Sequence, residues 1–447
     1  MLSEYGMVLV LFLLCVYYSA VTIADQYPEG AVGGSTLARE VARQTEPGAR
    51  VLIVAGEGRL EAEFAEALET QLTAEGKEVV TRVQGQPFNV RQALQQVAER
   101  RGKLDAIAAS QSAGGWSVLE DIGRKFPALG DVPVFTPHGY SWPNFLTANN
   151  LLNIANQIAV IAMLAAGMTF VVITGGIDLS VGSLVALSAV TATLLIRGVA
   201  GAEDASAAGM VACCVAAVVI CGGVGLFSGT FVTYFNIPSF IVTLSVMLIA
   251  RGLAFKLAAG QSIFQVPTSF VWLGGRADLG RVPNAVVLTI LVYCAAHLVM
   301  TRTVLGRHIY AVGGNPQAAR LSGIRVGRVV LITYMLSGAL AGLGGIVVAS
   351  QLSSGSPTYG AKYELHAIAA VAVGGTSLLG GRGKVLGTLI GALIIAVIKN
   401  GMNLTGVDPY TQDVVFGAVI LGAVLFDEVK ARGWTALQRM FFARKNA

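Results

Sequence analysis

The sequence predicts a polytopic α-helical membrane protein of about ten transmembrane helices, with a small parallel-sheet α/β soluble domain inserted after the first helix. Three observations predict it. The 447 residues are 54% hydrophobic and only 13% charged, against about 25% charged in a soluble domain. Apolar runs close to membrane length recur along the chain. One polar block, 28–138, interrupts them. That block holds 12 Lys and Arg against 15 Asp and Glu, and the rest holds 19 against 11, so the surplus positive charge belongs to the membrane part. The expected domains are a first transmembrane helix within 1–27, the insert at 28–138, a transmembrane bundle at 139–429 and a basic tail at 430–447.

The first apolar run is 6–24. A signal peptide competes for this stretch, but the residues before it contain Glu4 and no Lys or Arg, which favours a retained helix. In the insert, Val51–Ala55, Val79–Val83, Asp105–Ala109 and Val132–Phe135 read as strands. The stretches 60–75, 90–101 and 116–126 read as helices between them. Alternating strands and helices predict a parallel sheet, and this order resembles one lobe of a sugar-binding protein. The insert has no P-loop and no G-x-G-x-x-G after its first strand. Further apolar runs fall at 150–173, 180–198, 207–227, 237–258, 284–301, 329–350, 365–379, 385–402 and 412–427, most near the ~20 residues a span needs. The run 365–379 is short and ends in glycines, as a half-helix or re-entrant segment would. The five cysteines, Cys15, Cys213, Cys214, Cys221 and Cys294, lie in apolar runs and read as small core residues.

Charge orients the chain. Thr301–Arg328 carries five arginines and no acidic residue, and the tail adds Lys430, Arg432, Arg439, Arg444 and Lys445. Both are expected in the cytoplasm. Ten crossings then put the N-terminus inside and 28–138 outside. Arg251 and Lys256 sit awkwardly near an outer helix end, where snorkelling would accommodate them.

Three stretches carry candidate function. Asp178, followed by Ser180, sits in a glycine-bracketed turn between two apolar runs. It reads either as a polar element of a translocation path or gate, or as a helix cap. The loop 303–328 has a short helix, Pro316–Leu321, between glycine breaks and reads as a docking site for a cytoplasmic partner or as a plain positive-inside loop. Glu364 and His366 open a short helix that ends at Gly374 and Gly375, as a broken helix beside a substrate path does. Glu364 reads equally as an interfacial charge. No nucleotide site, Ser-His-Asp set or metal-ligand set is legible in the membrane part.

At these residues the chain resembles the permease subunits of monosaccharide ABC importers of the ribose, xylose and arabinose group. The resemblance rests on PNFLTANNLLNIANQ at 143–157, GMTFVVITGGIDLSVGSLVALS at 167–188, GRHIYAVGGNPQAARLSGI at 306–324 and the stretch 363–394 beginning YELHAIAAVAVGGTSLLGGRGK. It implies a non-catalytic, homodimeric inner-membrane subunit without a cofactor of its own, with ATP and magnesium on a partner ATPase. It implies a periplasmic sugar-binding protein that delivers a monosaccharide, and no nucleic-acid partner. The family's coupling segment maps onto Gly306, Arg307, Gly313, Gly314, Asn315, Arg320 and Gly323. The family often has an acidic residue where His366 stands, and it usually runs straight from the first helix into FLT, without the block at 28–138. Two other classes stay open: an ion-coupled secondary sugar transporter, which needs more buried carboxylates than Asp178 and Glu364, and a membrane receptor that senses through the outer domain.

Overall fold

A computed structural model describes the backbone of residues 2–100 and 102–432, and the side chains of 6–100 and 102–425. Most of the basic tail lies outside the described residues. The chain forms two compact units, one from the residues up to Thr22 and from Phe145 onward, the other from Ile23–Asn144. The second unit is wider than 28–138 because β1 (Ile23–Gln26) pairs antiparallel with a later strand, Tyr140–Pro143, at its margins. At the margins of the first unit, α1 (Leu2–Val21) ends beside Thr22, whose Oγ1 accepts the Phe145 N–H at 3.1 Å. The chain thus leaves and rejoins this unit at adjacent points.

In order, the Ile23–Asn144 unit continues with α2 (Gly30–Gln44), β2 (Arg50–Ala55), α3 (Arg59–Ala74), β3 (Glu78–Gln84), α4 (Pro87–Glu99) and β4 (Ala106–Ala109). Two short turns of helix follow, α5 (Gln111–Gly114) and α6 (Ile122–Lys125), then β5 (Val134–Phe135) and β6 (Tyr140–Pro143). The main sheet is parallel, with order β3-β2-β4-β5. Its central strand is buried on both faces. Val51, Ile53 and Ala55 meet Leu37, Val41, Phe64 and Leu68 of α2 and α3, while Leu52 and Val54 meet Val90 and Leu94 of α4. A strand covered on both faces reads as an unbroken apolar run, as Val51–Ala55 does.

Two departures from sequence expectation lie here. Helix α2 has no counterpart among the elements expected from the sequence; it carries Gly30, Gly33 and Gly34, which are poor helix formers. In the structure Gly34 is the close-approach point, where any side chain would collide with the Phe64 carbonyl of α3. Residues 116–126 do not form one helix. Asp121 adopts a left-handed φ of 49° and divides the stretch into a 3₁₀ turn, Ser117–Leu119, and α6.

The other unit is helical throughout. After Phe145 come α7 (Ala148–Ile173), α8 (Val181–Leu195), α9 (Ala207–Tyr234), α10 (Ser239–Leu257), the short α11 (Trp272–Gly275) and α12 (Asn284–Arg302). Then come α13 (Val304–Gly314), α14 (Pro316–Leu321), α15 (Val326–Gln351), α16 (Tyr363–Val373), α17 (Val385–Leu404) and α18 (Pro409–Arg432). Among the described residues, α7, α8 with its π-helical extension to Ala200, α9, α10, α12, α15 and α17 are long and apolar enough to cross a membrane. The apolar helices at Gly6–Val21, Tyr363–Val373 and Pro409–Leu425 are shorter. The chain is therefore a polytopic helical membrane protein.

Helix α7 is buried along most of its length and forms the centre, packed by α12, α15, α16 and α17. Helices α9 and α15 meet through small residues. A side chain added at Gly225 would strike the Tyr334 carbonyl, and one at Gly338 would strike that of Cys221. Lipid tails are as apolar as leucine, so membrane helices gain by close backbone approach instead. This accounts for part of the high glycine content. The cysteines are not uniformly core. Cys213 and Cys221 are buried, but Cys294 is exposed on the outer face of α12.

Candidate functional site

The turn after α7 folds back into the bundle. Ser337 of α15, which holds this turn, abuts Gly167 of α7, six residues before that helix ends, or about 9 Å along its axis. Glycines Gly175 and Gly176 make the reversal, Gly175 with φ 85°. The segment that follows is held by side chains from two helices. The Ile177 N–H donates to Ser239 Oγ of α10 at 3.2 Å, and its carbonyl accepts from Thr243 Oγ1 at 3.2 Å and from the Tyr334 hydroxyl of α15 at 3.4 Å.

Asp178 is fully buried. Its Oδ1 accepts the Ser180 N–H at 3.0 Å and the Ser180 hydroxyl at 2.6 Å, and its Oδ2 accepts the Ser337 hydroxyl at 2.8 Å. Hydrogen bonds to its oxygens offset the cost of placing a carboxyl in an apolar bundle. Asp178 does not itself cap α8. Ser180 occupies the N-cap position and makes no side-chain capping bond; its backbone is helical there, φ −79° and ψ −17°, not the extended conformation that side-chain capping uses.

Helix α16 also starts inside the bundle. At 11 residues it is about 16 Å long, roughly half a span. It runs antiparallel to α17, with Gly374 against Gly387 and the Ala370 carbonyl against Gly391. Its first turn lies on α8, where the Glu364 carboxylate and the Gly360 carbonyl occupy the space a side chain at Gly182 would need. His366 points elsewhere, edge-on to Phe416 of α18 with ring centroids 4.8 Å apart. Residues two apart on a helix face different ways, so Glu364 and His366 belong to different surroundings. Gly374 and Gly375 close the far end of α16, Gly375 with φ 76°. Arg251 is not placed as the snorkelling reading expected. It is half-buried on α10, and its Nε lies 3.4 Å from Ser183 Oγ of α8.

The stretch 303–328 is more ordered than a loop. Thr303 caps α13 through the Gly306 N–H at 3.3 Å, and Asn315 caps α14 through the N–H groups of Gln317 and Ala318, both at 3.0 Å. Ile309 and Val312 are buried under α13, while Arg307, Arg320, Leu321 and Arg325 are exposed. Gly306 packs against the Met300 carbonyl, and Gly323, with φ 84°, ends α14. The glycines of 306–314 looked like helix breakers in the sequence; they are close-approach points. Gly313 touches the Ile173 carbonyl at the end of α7 and the Gly381 N–H, and Gly381 in turn donates to Ile173 at 2.8 Å. Tyr310 ties the same junction by donating to the Gly383 carbonyl at 2.7 Å. Three glycine turns, 175–176, 313–314 and 380–383, therefore meet backbone to backbone. Gly314 and Gly380 are part of this contact.

A family model described as the permease component of branched-chain amino acid transport systems matches residues 150–424. The ribose import permease of Escherichia coli strain K12 is 45% identical over 292 residues, covering 64% of this chain and 88% of that protein. The chain belongs to the monosaccharide permeases of ABC importers. The L-arabinose ABC transporter permease of Azospirillum brasilense is 34% identical across 73% of this chain and 93% of its own. The xylose transport system permease of Escherichia coli strain K12 is 32% identical across 72% and 97%. No solved structure matches the chain. The family match starts in α7 and ends in α18, so the site geometry above lies wholly within it. Arg251, Ser183 and Ser337 were missed in the sequence; the polar residues inside predicted spans were the available signal.

Proposed function

We propose that this permease moves a monosaccharide across the inner membrane by alternating access, driven by ATP hydrolysis on a separate subunit. The carrying observation is the α13–α14 pair. It presents Arg307, Arg320, Leu321 and Arg325 outward, and its back is seated on the glycine junction at the end of α7. Force applied to α14 reaches the turn that leads into Asp178 through backbone contacts alone. Nucleotide and magnesium belong to the ATPase, and this chain takes no cofactor. Asp178, Ser180, Glu364, His366, Gly374 and Gly375 line or support the path or its gate.

The full reading has ten membrane passages. Seven are the long helices, and the shorter apolar helices at Gly6–Val21, Tyr363–Val373 and Pro409–Leu425 supply the rest. Both termini then face the cytoplasm, where the arginines of 302–328 also lie, and the inserted α/β domain faces outward. Two copies pair in the membrane, and a periplasmic binding protein delivers the sugar. A pore poor in ionisable side chains suits a neutral, hydroxyl-rich cargo.

Affinity purification of the chain from native membranes in mild detergent tests this reading. Recovery of an ABC-type ATPase is the expected result. An intact dimer without an ATPase would overturn it in favour of a receptor or an ion-coupled carrier.

A further inference from the structure

Two helices of the bundle begin within it, and their first turns meet. Helix α8 begins at Val181, behind the buried Asp178 turn. Helix α16 begins at Tyr363, after Lys362 turns the chain with a φ of 65°. Gly182 of α8 lies directly against Glu364 Oε2 and the Gly360 carbonyl. From the third side, α10 directs Arg251 onto Ser183. A carboxylate, a guanidinium and a hydroxyl are thus gathered between α8, α10 and α16.

These groups do not satisfy one another. Glu364 Oε2 is buried and has no hydrogen-bond partner. Arg251 lies within electrostatic reach of Glu364, yet among the described residues it forms no ion pair, and its bond to Ser183 is long at 3.4 Å. A guanidinium has five N–H donors, so most remain free. The first turn of α8 also lacks a side-chain cap. Ionisable groups inside membrane segments mark substrate paths, and converging broken helices mark the binding site in many carriers.

We propose that Glu364, Arg251 and Ser183 form an intramembrane binding site for a neutral polyhydroxylated ligand. One ligand hydroxyl donates to Glu364 Oε2, and a neighbouring hydroxyl accepts from Arg251. A sugar diol fits because each hydroxyl both donates and accepts. An anion would meet the Glu364 carboxylate, and a cation would meet Arg251. This inference rests on the sugar-permease reading above and names the residues that hold the cargo.

The test is uptake of radiolabelled D-ribose, D-xylose, L-arabinose and D-allose by cells carrying the full transporter. It is followed by the single-deoxy analogues of whichever sugar is carried. The variants are Glu364→Gln, Arg251→Gln, Arg251→Lys and Ser183→Ala. Glu364→Gln and Arg251→Gln are expected to lower the maximal rate of uptake roughly ten- to a hundredfold, the range for a hydrogen bond to a charged group, while the KM, set by the binding protein that delivers the sugar, holds. The amount in the membrane and the co-purifying ATPase stay unchanged, and Arg251→Lys recovers part of the loss. For one deoxy analogue, wild type and Glu364→Gln should be equally poor, because the missing hydroxyl is the one Glu364 receives. An unchanged maximal rate in the variants, or a penalty equal for every deoxy analogue in wild type and variant, overturns the site while leaving the transporter reading intact. A wild type that takes up none of the four sugars, with ATPase bound, overturns both. Should Glu364→Gln fail to reach the membrane, Arg251→Lys and Ser183→Ala decide by the same two readouts.

Discussion

Ser337 of α15 donates its hydroxyl proton to Asp178 Oδ2 at 2.8 Å, joining residues 159 positions apart. The bond fixes the turn before α8 to the longest-packed neighbour of α7 and sits out of reach of water. Ser337→Ala should therefore cost about 1–3 kcal/mol, the penalty for leaving a buried polar group without its partner. Thermal unfolding in detergent is expected to show a lower Tm. Glycine at 337 would add backbone freedom to the same loss and fall further. An unchanged Tm for Ser337→Ala would mean that Asp178 is held by Ser180 alone.

Arg320 and Arg325 stand exposed on and just after α14. Replacing both with Glu reverses two charges on the surface proposed to meet the ATPase. Insertion should be unaffected, and the ATPase should no longer co-purify. Normal co-purification would move the docking surface elsewhere.

The small-residue contact between α9 and α15 yields a paired comparison. Gly225→Leu forces a side chain into the Tyr334 carbonyl, whereas the space around Gly223, two residues earlier, is open. Overpacking costs typically 1–3 kcal/mol or more. The yield of monodisperse protein is expected to fall for Gly225→Leu and to hold for Gly223→Leu. Equal behaviour would show that the helices can separate.

Within the Ile23–Asn144 unit, Asp105 Oδ2 accepts the Arg50 N–H at 2.9 Å, and Oδ1 is 2.9 Å from Lys103 Nζ. The Arg50 backbone bond first, and Lys103 second, hold this carboxyl below the ordinary aspartate value. A depressed carboxylate stabilises the fold above its unfolded pKa, about 3.9, and loses that contribution as pH falls through the lower folded value. Hydrogen-exchange protection factors at β2 and β4, corrected for the intrinsic rate at each pH, should fall below about pH 4 in wild type. In Asp105→Asn they should be low already at neutral pH and change less on acidification.

Thr22 and Phe145 are hydrogen-bonded neighbours, so the chain between them can be removed without spanning a gap. A variant lacking Ile23–Asn144, joined by a short Gly-Ser linker, is expected to insert and to retain the ATPase. Loss of insertion would mean that the bundle requires the unit in order to fold.

Much of this architecture was legible because membrane helices announce themselves by length. Each apolar run in the sequence became a helix, although α9 runs seven residues past the expected end and α16 stops six short of it, and Gly374-Gly375 marked α16 as short. The relationships that define the site were not legible. Asp178 needs Ser337, and Ser183 needs Arg251, and both pairings arise only when distant helices pack. A serine inside an apolar run has no periodic signature. Glycine misled in both directions. At Gly34, Gly306 and Gly313 it reads as a breaker by propensity, yet it serves there as the point where one backbone approaches another. The strands of the insert were found because β-branched runs bounded by turns are local signals, whereas the β1–β6 pair joins its far ends and is not local.

The junction of the three glycine turns has a mechanical consequence. Side chains can change rotamer and absorb displacement; bare backbone cannot. Where 175–176, 313–314 and 380–383 touch through main-chain atoms, no rotamer change is available to take up a displacement, so a shift of one turn presses directly on the backbone of the others.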